Sequence, residues 1–214
     1  MDAFEAIVTR RSIRKYKDIP VEVEKIGAII EAGRQAPTAG NLQPFKFIIV
    51  FTKEQRKAIA EACLQQYWME TAPLHIVVIG EPWKSKQFYG DRGEKLYSIQ
   101  NCAAAVQNML IAATSLDLGS CWVSAFEEDM LTSILSIPEH KGRPQAVVTI
   151  GYADEIVPPP QKYRFYDVTY INIWDRRITD LEKYFGYFGA RTREKLGEGM
   201  EFLKKASEKL QKKG

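Results

Sequence analysis

Arg10-Arg11-Ser12-Ile13-Arg14 near the start of the chain and Lys162-Tyr163-Arg164 after a run of three prolines both read as phosphate-binding chemistry. Guanidinium groups hold phosphate oxygens through forked, charge-assisted hydrogen bonds, and a serine hydroxyl among them adds a donor without adding charge. Taken alone, the first stretch also fits a solvated helix end or a nucleic-acid patch. The segment Ala-Pro-Thr-Ala-Gly-Asn-Leu-Gln-Pro-Phe, residues 36–45, favours a ligand, because a surface connection needs no such density of amide and hydroxyl groups before a strand.

The elements that must position these residues are legible in the apolar pattern. Residues 2–10 fit a short helix, with Asp2 as cap and Phe4, Ile7 and Val8 on one face. A second helix runs from about Val21 to Gln35, carrying Val23, Ile26, Ile29 and Ile30 before Pro37 ends it. Residues 45–51 and 74–79 are continuous apolar runs rich in β-branched side chains and read as buried strands; 119–125 and 145–151 are two further candidates. Between them, Lys95 to Leu118 reads as the most apolar helix of the chain, with Gly119 as its C′ residue. A helix apolar nearly all round is buried on every side, either between the sheet and a second subunit or as the central core helix of a monomer. Helices alternating with apolar strands give an α+β or three-layer α/β arrangement with a mixed sheet.

The sequence of 214 residues, 45% apolar and 11% aromatic, is enough for one large domain that buries roughly 70% of its unfolded surface. Residues 181–214 carry nine Lys and Arg against five Asp and Glu, so the basic surplus sits on the tail and no nucleic-acid face is expected. The division expected is a domain over 1–178 and a C-terminal helical extension over 179–214, amphipathic through Leu196, Met200, Leu203, Ala206 and Leu210. Cys63, Cys102 and Cys121 form no C-x-x-C pair, which argues against a disulfide framework or a zinc ribbon. His75 and His140 lie far apart without ligand-type neighbours, so no metal site is expected, and His75 reads as a core residue. There is no leader signature, and no apolar run approaches the roughly 20 residues needed to span a bilayer, so a soluble, cytoplasmic protein is expected.

Arg-Arg-Ser-x-Arg, Pro-Thr-Ala-Gly-Asn-x-Gln-Pro-Phe, Gly119-Ser120-Cys121-Trp122 and Lys-x-Arg, in this order and spacing, resemble the nitroreductase family of FMN enzymes over about residues 1–175. The resemblance implies an α+β, three-layer α/β/α fold with a central mixed, mainly antiparallel sheet, and an interlocked homodimer with the flavin at the interface. It places Arg10, Arg11, Ser12 and Arg14 around the phosphate, ribityl and pyrimidine end of FMN, with Lys162 and Arg164 closing on the phosphate. Pro37, Thr38, Ala39, Asn41 and Gln43 would form a second wall reaching in from the partner subunit. Trp122 would lie on the strand that passes the ring, and a backbone N–H of Ser124 or Ala125 would donate to flavin N5.

On this reading no side chain acts as acid or base. The flavin takes a hydride at N5 from NADH or NADPH and passes electrons to a nitroaromatic, a quinone or a similar small acceptor by ping-pong turnover. A cation beside N1 would stabilise the charge of the reduced ring. The chain has no G-x-G-x-x-G fingerprint, and a nicotinamide that stacks briefly over a flavin needs none. Many relatives carry Trp where this chain has Phe45, and several an acidic-Gly pair where it has Ser124-Ala125. These positions, with Glu81–Glu94 as a lid or a surface loop, shape the space over the ring. The alternatives are a flavin-binding storage or sensor protein without nicotinamide turnover, and a reduced-FMN-using dehalogenase or flavin-degrading relative on the same fold.

Overall fold

Leu74–Gly80 forms a strand, β2, in which every residue is buried, so the unbroken apolar run corresponds to a strand covered on both faces. β2 lies inside a four-stranded sheet of the computed structural model, which describes residues 1–177. The chain divides into two compact units, Met1–Val157 and a second beginning at Pro158. The expected C-terminal helix over 179–214 lies outside the described residues.

The other strands are β1 (Phe45–Val50), β3 (Gly119–Val123) and β4 (Arg143–Gly151), in the order β1-β2-β4-β3 with every neighbouring pair antiparallel. A parallel bridge between Ser12 and Ser120 adds the chain's N-terminal segment beside β3 and makes the sheet mixed. Side chains alternate between the faces. Leu74, Ile76 and Val78 of β2 join Ala146, Val148 and Ile150 of β4 in one core, while Val77, Ile79 and Val147 point into the other.

The helices form the outer layers. α2 (Val23–Arg34) and α5 (Ser98–Ser115) pack against each other and fill the first core through Ile26, Ile29, Val106 and Met109. α1 (Ala3–Thr9), capped by the Asp2 carboxylate accepting the Glu5 N–H at 2.8 Å, packs on α5. The second core is covered by α3 (Lys53–Ala62) and α6 (Glu128–Ile134), through Ile59, Ala60 and Leu131. No helix of the described residues is long and apolar enough to cross a membrane.

Three expectations need correction. The segment read as one helix over 95–118 begins as a π-helical turn, Gly93–Tyr97, before α5 proper. Its end is not set by Gly119, which is already the first residue of β3. Asp117 takes the left-handed C′ conformation (φ 61°), its N–H reaching the Thr114 carbonyl at 3.1 Å while the Leu118 N–H reaches Ala113 at 2.9 Å. That is a Schellman ending with aspartate in the glycine position, tolerated because a short polar side chain visits this region at modest cost. Glu81–Glu94 is not a loop: it contains α4 (Pro82–Arg92), with Pro82 at its start and a break at Gly90. Last, β3 ends at Val123, so Ser124 and Ala125 leave the ladder.

In the second unit the described part holds a single 3₁₀ turn, Phe165–Asp167, and a bridge between Tyr170 and Arg177.

Candidate flavin site

After Thr9 the chain leaves α1 in an extended course and alternates sides in the manner of a strand. Ile13 is buried, whereas Ser12 and Arg14 flank it on the opposite side. The Ile13 N–H donates to the Ser120 carbonyl at 3.0 Å. Further along, Tyr16 forms an antiparallel bridge with Ala153, and the Lys17 N–H reaches the Tyr152 carbonyl at 2.8 Å. The segment is thus pinned by β3 on one side and by the chain following β4 on the other. Glu155 completes the hold: its Oε1 accepts the backbone N–H groups of both Arg14 and, at 3.0 Å, Lys15.

Lys15 of this segment pairs with Asp154 at 2.9 Å, but the segment's guanidinium groups stand apart from the described carboxylates. Arg34, Arg143 and Arg164 each pair with a carboxylate at 2.8 to 2.9 Å, but among the described residues Arg10, Arg11 and Arg14 form no ion pair. Arg11 is partly committed to the backbone, its Nη1 donating to the carbonyls of Val8 at 2.9 Å and Arg10 at 2.8 Å. Its Nε is buried without a partner among the described residues, and burial together with the neighbouring Arg10 lowers its pKa. The Ser120 hydroxyl is likewise buried and unpartnered among them. Cys121 is a core residue whose thiol is raised by burial, an effect that Arg14 and a hydrogen bond from Ser12 oppose.

Beyond β3 the chain turns toward the same region. Trp122 is partly exposed, and Ser124 and Ala125 are exposed. None of the backbone hydrogen bonds formed outside helices and strands by the described residues uses the N–H of Ser124 or Ala125. Two residues that the sequence reading missed tie this end to Arg14. The Arg14 guanidinium lies 5.8 Å from the centre of the Trp68 ring, the Trp68 indole donates to Gln66 at 3.3 Å, and Gln66 Nε2 reaches the Ala125 carbonyl at 3.5 Å. No local pattern marks Gln66 or Trp68, since they enter the site through the 3₁₀ turn Tyr67–Thr71.

The amide-rich segment docks elsewhere on the first unit. Pro37 is exposed; Thr38 precedes a 3₁₀ turn, Ala39–Asn41, and its hydroxyl accepts the Gln43 N–H at 3.1 Å. Gly40, Asn41 and Gln43 all adopt positive φ, at 57°, 55° and 48°. A non-glycine residue in this region is costly unless its surroundings enforce it, and such strain gathers at binding sites. At Gly40 a Cβ would run into the Tyr89 hydroxyl of α4. The Ala39 N–H donates to Asn101 Oδ1 of α5 at 3.0 Å. Among the described residues no hydrogen bond or ion pair joins this segment to Arg10, Arg11, Ser12 or Arg14.

Lys162 and Arg164 belong to the second unit, where Lys162 is exposed and Arg164 is bound to Asp167 at 2.9 Å. A cleft of about 270 Å³ lined by Lys46, Ile48, Glu81, Ile137 and Lys141 shares no residue with any of these groups.

The donor set fits FMN. Three guanidinium groups without counter-ions among the described residues and a neighbouring hydroxyl suit a dianionic phosphate and the ribityl oxygens, and the backbone N–H groups of Ser124 and Ala125, without a partner there, suit a ring acceptor.

An antiparallel sheet layered between helices, with a cationic strand along its β3 edge, defines the class of fold. The model of the Nitroreductase family matches residues 7–78 and 64–152, and the chain belongs to that family. A candidate NADH dehydrogenase/NAD(P)H nitroreductase of Archaeoglobus fulgidus is 36% identical over 170 residues, 78% of this chain and 90% of that protein. The FMN reductase (NADPH) of Bacillus subtilis is 24% identical over 224 residues, covering 92% of this chain and 87% of its own. Among solved structures, a candidate NADH dehydrogenase/NAD(P)H nitroreductase of Parabacteroides distasonis superposes with a TM-score of 0.71 at 32% identity, over 80% of this chain and 98% of that one.

Proposed function

We propose that this chain is an FMN-dependent oxidoreductase that takes electrons from NADH or NADPH and delivers them to nitroaromatics, quinones or similar small acceptors by ping-pong turnover, working as a homodimer with the flavin at its interface. The observation that carries the reading is the strand-locked cluster of Arg10, Arg11, Ser12 and Arg14, whose charges find no carboxylate among the described residues. The names of the relatives in Archaeoglobus fulgidus and Bacillus subtilis support the nicotinamide and the flavin.

When bound, FMN supplies a hydride-accepting N5 and a ring able to pass electrons on. The chain contributes position and charge. Arg10, Ser12 and Arg14 hold the phosphate, ribityl and pyrimidine end, and Arg11 adds its charge while its Nη1 fastens the segment to α1. Lys162 and Arg164 add cationic groups for the phosphate. Ser124 and Ala125 offer the N–H for the ring acceptor, and Trp122 flanks it. Thr38, Ala39, Asn41 and Gln43, with Pro37 ahead of them, wall the flavin of the partner subunit. The outer face of α5 faces that subunit, which accounts for its exposed Ile99 and half-buried Ala103 and Ala104. Arg10, Arg11 and Arg14 would favour reduction of bound FMN by offering positive charge to it.

Initial rates measured at several NAD(P)H and acceptor concentrations test this function. Parallel double-reciprocal lines with a quinone or nitroaromatic are expected; intersecting lines, or no acceptor turnover, contradict it. A storage or sensor protein would bind FMN yet leave NADH and NADPH unoxidised. A flavin-degrading relative would consume the flavin under air but not under nitrogen.

A further inference from the structure

Of the described helices α5 buries the most residues, and among those buried residues stands one carboxamide, Asn101, only 5% exposed. A buried amide is expensive unless its hydrogen bonds are made. Asn101 makes one of them, its Oδ1 accepting the Ala39 N–H at 3.0 Å, while its Nδ2 has no partner among the described residues. The hydrogen bond to Ala39 is thus the one side-chain bond that Asn101 makes among the described residues.

That bond reaches a segment outside the sheet. Residues 38–43 carry three positive φ angles in four residues and no strand ladder. Their internal support is the Thr38 hydroxyl on the Gln43 N–H, the Asn41 and Leu42 N–H groups on the Thr38 and Ala39 carbonyls at 3.0 and 3.2 Å, and the Gln43 amide on Asn41, with Tyr89 packed over Gly40. The Ala39 N–H opens the 3₁₀ turn, where a backbone donor has no partner within the turn. By capturing this donor, Asn101 sets where the turn starts, and the left-handed residues that follow take their direction from it.

We infer that Asn101 is a positioning residue for the flavin wall: it acts through the backbone of Ala39 to hold Thr38, Asn41 and Gln43 in the geometry that meets the cofactor. The inference rests on the proposed FMN function and adds a residue to it. Asn101 need not touch the flavin, and its effect passes through a single hydrogen bond.

The test is a double-mutant cycle read by FMN titration of the full-length protein. Asn101→Leu removes the acceptor at similar volume. Ala39→Pro removes the donor from the other side, and proline is tolerated at the first position of a helical turn, with the extended Thr38 (ψ 150°) compatible with a following proline. Asn101→Leu should weaken FMN binding about tenfold, the scale of one hydrogen bond lost with its partner left buried. In the Ala39→Pro background the same change should cost less than about twofold, because the two act through one bond. Asn101→Asp, which keeps an acceptor, should restore affinity relative to Asn101→Leu. If Asn101→Leu is too unstable to titrate, the comparison of Ala39→Pro with Ala39→Pro/Asn101→Asp serves: equal affinities are expected, and a large difference overturns the shared bond. A wild-type protein that binds FMN while Asn101→Leu binds equally well, or equal effects of Asn101→Leu in both backgrounds, overturns the role of Asn101 alone. A wild-type protein that takes up no FMN overturns the flavin reading and this role with it.

Discussion

Ser12 and Ser120 are paired across a parallel bridge, and the next residue, Ile13, closes it with an N–H to the Ser120 carbonyl at 3.0 Å. This contact sets the cationic segment against β3, and it leaves no room for a side chain at Gly119. A Cβ there would lie 2.9 Å from Ile13 Cγ1 and 3.0 Å from its Cβ and Cγ2. Ile13 is buried and β-branched, so it cannot rotate away cheaply.

Gly119→Ala should therefore push the segment off the strand. The expected result is a loss of about 1–3 kcal/mol in urea unfolding, typical of overpacking, together with weaker FMN binding. Ile13→Ala in the same chain should recover part of the affinity. Wild-type stability and affinity in Gly119→Ala would mean that the contact is slack.

Arg14 is the exposed cation at the far end of the same segment, its guanidinium held over Trp68 and in no ion pair among the described residues. Replacing it with alanine should weaken FMN binding on the order of 10- to 100-fold, the span of one hydrogen bond to a charged group. Arg14→Lys should recover only part of this, since an ammonium lacks the forked geometry. The wild-type affinity should also fall as salt is raised, more steeply than that of Arg14→Ala. Equal affinities at all salt concentrations would remove Arg14 from the site.

The sheet and the site differ in how much of each is readable from sequence, and the difference is physical. β2 is legible because a strand covered on both faces is written as an unbroken apolar run, and the observed Leu74–Gly80 extends the reading by one residue. α3 and α6 carry only small buried faces, Ile59, Ala60 and Ala62 in one and Leu131 in the other, too few to impose a clear period. The ending of α5 was misassigned because Asp117 does a glycine's work two residues before a real glycine. In the proposed site, Arg10, Ser12 and Arg14 are legible because phosphate chemistry would call for their types. Glu155 is not, since it acts on the backbone N–H groups of Arg14 and Lys15 from 140 or more positions away. Asn101 did leave a signal, an amide within an apolar helix, though Asn108 seven residues on reads the same way.

His75 gives the fold a defined acid sensitivity. Burial, aided by the charge of Arg56 and opposed by a hydrogen bond to the Met69 carbonyl at 3.0 Å, lowers its pKa from 6.5 to about 4. Above pH 6.5 the imidazole is neutral in both states and its effect on stability is constant. Between 6.5 and about 4 the unfolded chain takes up a proton that the folded chain refuses, so stability declines as pH falls; below that window both states are protonated and the slope vanishes. From pH 7.5 to 5 the loss should approach about 2 kcal/mol. His75→Gln, which keeps a donor for Met69, should flatten that slope in urea titrations at pH 7.5, 6 and 5. Parallel profiles for the two proteins would mean that His75 titrates normally.

The three cysteines are buried, with Cys63 and Cys102 raised to about 12 and Cys121 raised as well, all chiefly by burial. The thiolate is the reactive form. A chromogenic disulfide reagent at pH 8 should find no thiol within minutes in the folded protein and all three in concentrated guanidinium. Rapid labelling of Cys121 alone would show that the Ser12 and Arg14 side of β3 opens readily.

The most direct measurement is the visible spectrum of the protein mixed with FMN, freed of excess cofactor, and followed under nitrogen as NADH and then NADPH are added. The account predicts a yellow protein that one or both nicotinamides bleach, faster than they reduce free FMN. A protein that retains no FMN, or one whose bound flavin stays yellow with both donors, would contradict it.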